Sequence, residues 1–445
     1  MIKPVKYTTL ATACALAVAC GGDPEYKIFW NHEDIDPNQK SAGFIDTADL
    51  DGDGIKEVVL STLVEEGTPG IGSTKGALRI YKRNESGWDE RIVISTAEGM
   101  GFINKPQVMD LNEDAIPDIL VQQGFIMTGG GSYQWLEGPD YDTLKAVTPE
   151  TTLDNSDGFF WHLTEQVDLD GDGRLDLVTT SAKTQDVPEP QVRFEWYRNL
   201  GAGNYEQHIL PVQVGGVALT SHDVDRDGDL DFIFPQFFTR PALVWVEQVS
   251  KPSAFNDWAG EWQVHSIDDT TGLGYWTVMD DIDDDGTLEL VYGNHNNIKN
   301  PELVDAAGDP IPSGLYYFEI PANPMSSPWP KVTIDEGYPV DTFDFGKPAS
   351  QGSPGIFAVG DVNNDGRSDL VVPGDGANNL FFLEQQADGS FTRSVIAEGV
   401  MYGMAKITDI ENDGAVEVVA AMHNAPLNAG EVLKKKPGNL RIYWP

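Results

Sequence analysis

Beyond residue 20 this chain of 445 residues has no cysteine; its two are Cys14 and Cys20. A disulfide framework and a thiol nucleophile are therefore excluded from everything downstream. Positive charge is almost as scarce, with 29 Lys and Arg against 71 Asp and Glu and a formal net charge of −42. That balance excludes nucleic acid as a partner, since its binding rests on neutralising phosphates with Lys and Arg. After the extreme N-terminus no segment keeps a helical apolar period over several turns, so an all-β architecture is expected. A nucleophile elbow, an HExxH motif and a glycine-rich phosphate loop are also missing, and no catalytic constellation is legible.

What the chain has in excess is clustered acid. The stretch DLDGDGIKEVVL, beginning at Asp49, packs four acidic side chains into nine residues and then runs into β-branched sequence. Carboxylates this close repel unless a cation sits among them. Oxygens at alternate positions with a glycine at the sixth are the pattern of a short calcium loop. An EF-hand is excluded: position twelve is Leu60 rather than a bidentate glutamate, and the flanks have strand chemistry.

The pattern returns from Asp110, Asp168, Asp223, Asp281, Asp361 and Asp409, giving seven copies. Most lie roughly 55–60 residues apart, with one longer and one shorter interval, which is the size of a four-stranded propeller blade. Each unit reads as a glycine-led first strand, the acidic loop, an apolar second strand, an aromatic third strand such as ALRIYKR or VRFEWYRN, and a fourth such as YEQHIL. The last unit stops after its third strand, NLRIYWP, and EYKIFW (Glu25 to Trp30) is expected to supply the missing fourth and close the ring.

These units resemble FG-GAP (VCBS-type) repeats, the blades of integrin-α-like β-propellers, across nearly the whole chain after the leader. The resemblance implies a seven-bladed all-β propeller over residues 25–445. It also implies calcium ligands from the side chains at loop positions one, three, five and nine and the carbonyl of position seven. By position these are Asp49, Asp51, Asp53, Ile55 and Glu57; then Asp110, Asn112, Asp114, Ile116 and Asp118; then Asp168, Asp170, Asp172, Arg174 and Asp176. The fourth and fifth loops contribute Asp223, Asp225, Asp227, Asp229 and Asp231, and Asp281, Asp283, Asp285, Thr287 and Glu289. The last two contribute Asp361, Asn363, Asp365, Arg367 and Asp369, and Asp409, Glu411, Asp413, Ala415 and Glu417. The second loop departs from the pattern with Asn112 and with Ala115 in the glycine place, and the seventh has Glu411 at position three. Seven calcium ions would offset roughly 14 of the charge units.

The opening MIKPVKYTTLATACALAVACGG has a basic start, a short apolar stretch and a small-residue site before a cysteine, so residues 1–19 read as an export signal. LAVAC resembles a bacterial lipobox with its leucine displaced by one place, which makes Cys20 the acylated residue and residues 20–24 a linker. The other reading is an ordinary signal with an incidental cysteine. With Gly21 following, the expectation is a bacterial outer-membrane lipoprotein.

Links between successive strands alternate faces, so all seven acidic loops share one face and the long, variable links share the other. Binding residues concentrate on such links. His295 with Asn294 and Asn296, His423 with Asn424, and Asp375, Arg240, Gln236 and Trp276 are the ligand-binding candidates; the plainer reading makes them solvated or capping groups at strand ends. Trp161 and His162 read as packing near the axis, and Lys434 to Lys436 as a solvated run. Aromatic faces beside amide and carboxylate groups suit a sugar. The expected function is a calcium-stabilised binding module for glycan or protein, with a polysaccharide lyase or other carbohydrate-active enzyme as the alternative.

Overall fold

The computed structural model describes residues 29–39, 41–62, 75–96, 102–124, 130–152, 154, 156–340, 352–398, 401–423 and 439–445. Among them the strands form seven four-stranded antiparallel sheets. Blade 1 holds β2 (Ala42–Ala48), β3 (Glu57–Thr62), β4 (Leu78–Asn84) and β5 (Gly87–Ile94), and blade 2 holds β6 (Gln107–Met109), β7 (Asp118–Gln122), β8 (Tyr133–Leu136) and β9 (Leu144–Ala146). Blade 3 is β10 (Phe160–Val167), β11 (Asp176–Lys183), β12 (Gln191–Gly201) and β13 (Asn204–Ile209). Blade 4 is β14 (Thr220–His222), β15 (Asp231–Pro235), β16 (Leu243–Ser250) and β17 (Glu261–Asp268). Blade 5 is β18 (Gly274–Asp280), β19 (Glu289–Asn294), β20 (Gly314–Phe318) and β21 (Lys331–Glu336). Blade 6 is β22 (Ala358–Gly360), β23 (Asp369–Pro373), β24 (Asn379–Gln385) and β25 (Phe391–Glu398). Blade 7 is β26 (Met401–Thr408), β27 (Glu417–His423), β28 (Asn439–Trp444) and, from the other end of the chain, β1 (Asn31–Asp36). The molecule is the expected all-β, seven-bladed propeller.

Each blade grades from an apolar middle to a wet rim. Second strands are covered on both faces by neighbouring blades, so every residue of β3, β7, β15 and β23 is buried. Apolar runs without alternation are what such strands require. Fourth strands lie on the rim, where β5 and β25 expose their central residues. Between blades the layers interdigitate through aromatic edges, as where Phe194 of β12 meets Phe232 of β15 with ring centroids 5.1 Å apart.

Ring closure uses the N-terminal strand, but a few residues later than the apolar pattern indicates. Within the described residues β1 runs from Asn31, paired with Trp444, to Asp36, paired with Leu440. Glu25 to Ile28 lie outside the described residues. The reason is the rim environment: this strand needs one inward side chain, Ile35, and is otherwise matched by polar contacts. Asp34 accepts from Asn439 Nδ2 at 2.7 Å and pairs with Arg441. Trp30 still contributes, lying edge-on to Phe382 at 5.2 Å.

Candidate functional site

The acidic loops repeat one backbone device. Positions four and six have left-handed φ in all seven: Gly52 and Gly54 at 77° and 89° in the first loop, Asn412 and Gly414 at 54° and 90° in the last. Ala115 adopts φ 65° at the sixth position of the second loop, a conformation a Cβ disfavours. The position-one carboxylate accepts the N–H of position six, as Asp49 does from Gly54 at 2.9 Å and Asp361 from Gly366 at 2.8 Å. The position-nine acid accepts the N–H of position two, as Glu57 does from Leu50 at 2.7 Å and Asp231 from Val224 at 2.9 Å. One carboxylate thus folds the loop and another closes its neck.

Three carboxylate oxygens converge within 4.8 Å of one another in four loops: Asp49, Asp51 and Asp53; Asp168, Asp170 and Asp176; Asp223, Asp225 and Asp231; and Asp281, Asp283 and Asp285. Among the described residues the second, sixth and seventh loops show no such convergence. The four sets fit a hard divalent cation, and buried oxygens support the fit in the first, third and fourth loops. Glu57 Oε1, Asp168 Oδ1, Asp223 Oδ1 and Asp229 Oδ1 are buried with no hydrogen-bond partner among the described residues, and buried carboxylate oxygens need a donor or a cation. Burial also pushes the position-nine carboxyls up, Asp176 to about 6 and Asp231 to about 7.

On the opposite face the links build an aromatic arc. Phe160 lies edge-on to His162 at 5.3 Å and to Phe238 at 6.1 Å, and Phe238 lies edge-on to Phe237 at 5.2 Å. Phe237 approaches Tyr275 at 5.8 Å, and Tyr275 stacks on His295 with centroids 4.3 Å apart and planes 23° from parallel. The arc crosses blades 3, 4 and 5 and ends at Asp375 of blade 6, whose Oδ2 is 3.8 Å from His295 Nε2. His295 Nδ1 is 2.7 Å from the carbonyl of Pro354. A carbonyl only accepts, so Nδ1 carries the proton and Nε2 presents a lone pair. Burial pushes the imidazole down to about 4, so it is neutral at ordinary pH. Gly352 backs the ring so closely that a Cβ there would lie 2.5 Å from His295 Cδ2. Asp375 sits at φ 47°, a left-handed conformation that aspartate tolerates better than most residues.

Along the ring axis is a second group of polar chains. Lys105, from the link into β6, reaches across to place Nζ 5.5 Å from the Trp276 ring of β18. Burial is the main influence on this ammonium and lowers its pKa, with Asp46 and Glu165 opposing. Asp46 pairs with Lys406, and Glu165 accepts from the Ser221 N–H at 2.9 Å.

The structure thus brings His295 and Asp375 together, sets Trp276 apart with Lys105 and gives other candidates structural work. Asn294 donates to the carbonyls of Thr271 and Pro312 and accepts from the Gly314 N–H; Asn296 bonds the same two carbonyls. Gln236 donates to Pro241 O, and the exposed Arg240 holds Gly272 O and Asp269. Trp161 is packed, with Nε1 donating to Glu195. Burial pushes His162 down to about 3. His423 ends β27, but its side chain, Asn424 and Lys434 to Lys436 lie outside the described residues. Sequence reading missed Phe160, Phe237, Phe238, Tyr275 and Lys105; the paired phenylalanines inside the link PQFFTRP were the available signal.

Comparison with known proteins follows this geometry. Residues 168–234, which span the third and fourth acidic loops, match the FG-GAP-like repeat family. Over 194 residues, 42% of this chain, the sequence is 28% identical to the T-cell immunomodulatory protein of Mus musculus, and the match spans 28% of that protein's length. Among solved structures the fold is similar to BBS1N in complex with ARL6DN, at 9% identity and a TM-score of 0.49 over 93% of this chain and 96% of that one. It is also similar to the exotype rhamnogalacturonan lyase YesX, at 17% identity and a TM-score of 0.47 over 96% of this chain and 75% of that one.

Proposed function

From a seven-bladed propeller carrying an FG-GAP-like repeat, we propose a glycan-binding module, stabilised by calcium in its acidic loops and tethered to the bacterial outer membrane through Cys20. The observation that carries the glycan reading is the Tyr275–His295 stack with Asp375 beside it. A flat aromatic surface takes the apolar face of a sugar ring. Two acceptors 3.8 Å apart, His295 Nε2 and the Asp375 carboxylate, suit neighbouring hydroxyls on that ring. In the loops, Asp49, Asp168, Asp223 and Asp281 with their converging partners would hold the ion, which would supply the positive charge the cluster lacks.

The test is a glycan array with the calcium-loaded protein, followed by titration of hits against Tyr275→Ala, His295→Ala and Asp375→Asn. Each variant is expected to weaken binding by at least about fivefold, corresponding to roughly 1 kcal/mol or more at a hot spot, measured at a temperature where its melting curve shows it folded. Wild-type affinity in all three overturns the site, and capture of protein ligands alone overturns the glycan reading. One observation bears on a second reading as a carbohydrate-active enzyme: a neutral His295 with its lone pair on Nε2 beside Asp375 has the protonation state of a general base, although burial weakens its basicity. Unsaturated product from acidic polysaccharides, lost in His295→Ala, would establish a lyase.

A further inference from the structure

One register position in each blade faces the acidic loop from the third strand. It follows the residue paired with the first apolar residue of the second strand: Val58 pairs with Tyr81, and Lys82 follows; Leu177 pairs with Tyr197, and Arg198 follows. By the same count it is Glu137 in blade 2, Glu247 in blade 4, Glu319 in blade 5, Glu384 in blade 6 and Trp444 in blade 7. Its chemistry differs from blade to blade. Asn112 Nδ2 donates to Glu137 and Asn363 Nδ2 to Glu384, each at 3.3 Å, so the two loops with Asn at position three face a glutamate acceptor.

The four loops with converging carboxylates divide in two. In blade 1 Lys82 Nζ sits on Asp51 and on Asp53, the latter at 2.8 Å, and lies 3.6 Å from Glu57. In blade 3 Arg198 bonds Asp170 through Nε at 2.6 Å and Asp172 through Nη2 at 2.8 Å, with Trp258 4.5 Å behind the guanidinium. In blades 4 and 5 the same position adds a further acid, Glu247, which pairs with His265 Nε2 at 2.7 Å, or Glu319, to a loop that already has five. The fourth loop also contains two of the orphaned oxygens, Asp223 Oδ1 and Asp229 Oδ1.

We infer that this third-strand residue sorts the loops into two classes of cation site: tight sites in blades 4 and 5, and weak sites in blades 1 and 3, where Lys82 and Arg198 stand in for the metal. The inference rests on the calcium reading above and adds which loops fill first. A divalent ion entering blade 1 or 3 displaces a side-chain cation that already neutralises part of the loop, whereas in blades 4 and 5 it meets loop carboxylates that no third-strand Lys or Arg neutralises. When calcium is scarce, Lys82 and Arg198 keep their loops folded.

Calcium titration calorimetry on the full chain, with melting curves in chelator, tests this. Wild type is expected to bind two ions at least tenfold more tightly than a further two. In the double variant Lys82→Gln, Arg198→Gln the weak pair should tighten at least tenfold, while melting in chelator moves several degrees lower. Glu247→Gln and Glu319→Gln should each weaken one tight site at least threefold. Calcium binding with constants identical in wild type and variants overturns the inference and leaves the calcium reading standing. Absence of calcium binding overturns both.

Discussion

At the scale of single residues, His295 determines how ligand binding should respond to acid. An imidazole in water takes its proton near pH 6.5, but burial holds this one down to about 4, with the hydrogen bond to Pro354 O opposing. The groups facing it are Asp375 at 3.8 Å, the stacked ring of Tyr275, and Phe237 at 6.0 Å. Because the folded value is depressed, Nε2 stays an acceptor as pH falls through 6.5 and is lost only as pH approaches 4. Affinity for a neutral glycan should therefore be flat from pH 8 to 5; a midpoint near 6.5 in calorimetry across that range would contradict the assignment. Residues of this kind were only partly legible in the sequence. The loop acids announce themselves because their spacing repeats seven times. Asn294 and Asn296 flank His295 and share its polarity, yet both are consumed by the carbonyls of Thr271 and Pro312. No local pattern separates an amide that meets a ligand from one that braces a link.

The blades themselves were readable, because an acidic loop, an apolar run and an aromatic strand punctuate every unit. The exception is β1, where polarity misdirects: a rim strand is half wet, so NHEDID serves as well as the more apolar EYKIFW. What fixes β1 is Ile35, 6% exposed, together with Asp34 on Asn439 and Arg441. Ile35→Ala should cost about 2–5 kcal/mol, as large-to-small core changes do, measurable as a fall in urea midpoint with unchanged slope. Removing the chain through Asp36 should expose the edge of β28 and drive self-association. Size-exclusion chromatography would reveal it, and a stable monomer lacking β1 would show that the ring does not depend on this strand. The three-residue length of the first strands β6, β14 and β22 was also beyond local reading.

For the molecule as a whole, the ring does what no local segment could: it places Phe160, Phe238, Tyr275, His295 and Asp375, drawn from four blades, on one face. The proposed anchor lies outside this disc and should be separable from it. Cys20→Ser is expected to move the protein from the membrane fraction to the soluble one, with melting temperature and glycan affinity unaltered; unchanged fractionation and no acyl mass at the N-terminus would remove the anchor. Closure by β1 also sets a direction. Asn31 pairs with Trp444, so β1 starts where β28 ends, and because links alternate sides, that end is the side of the acidic loops. Ten residues lie between Cys20 and Asn31, eleven residue steps and so a span of at most about 40 Å. With the proposed anchor in place, a disc fastened there would lie with its carboxylates toward the lipid headgroups and its aromatic face turned away from them. Two anionic surfaces would then confront each other, and divalent counterions shared between them would screen their repulsion.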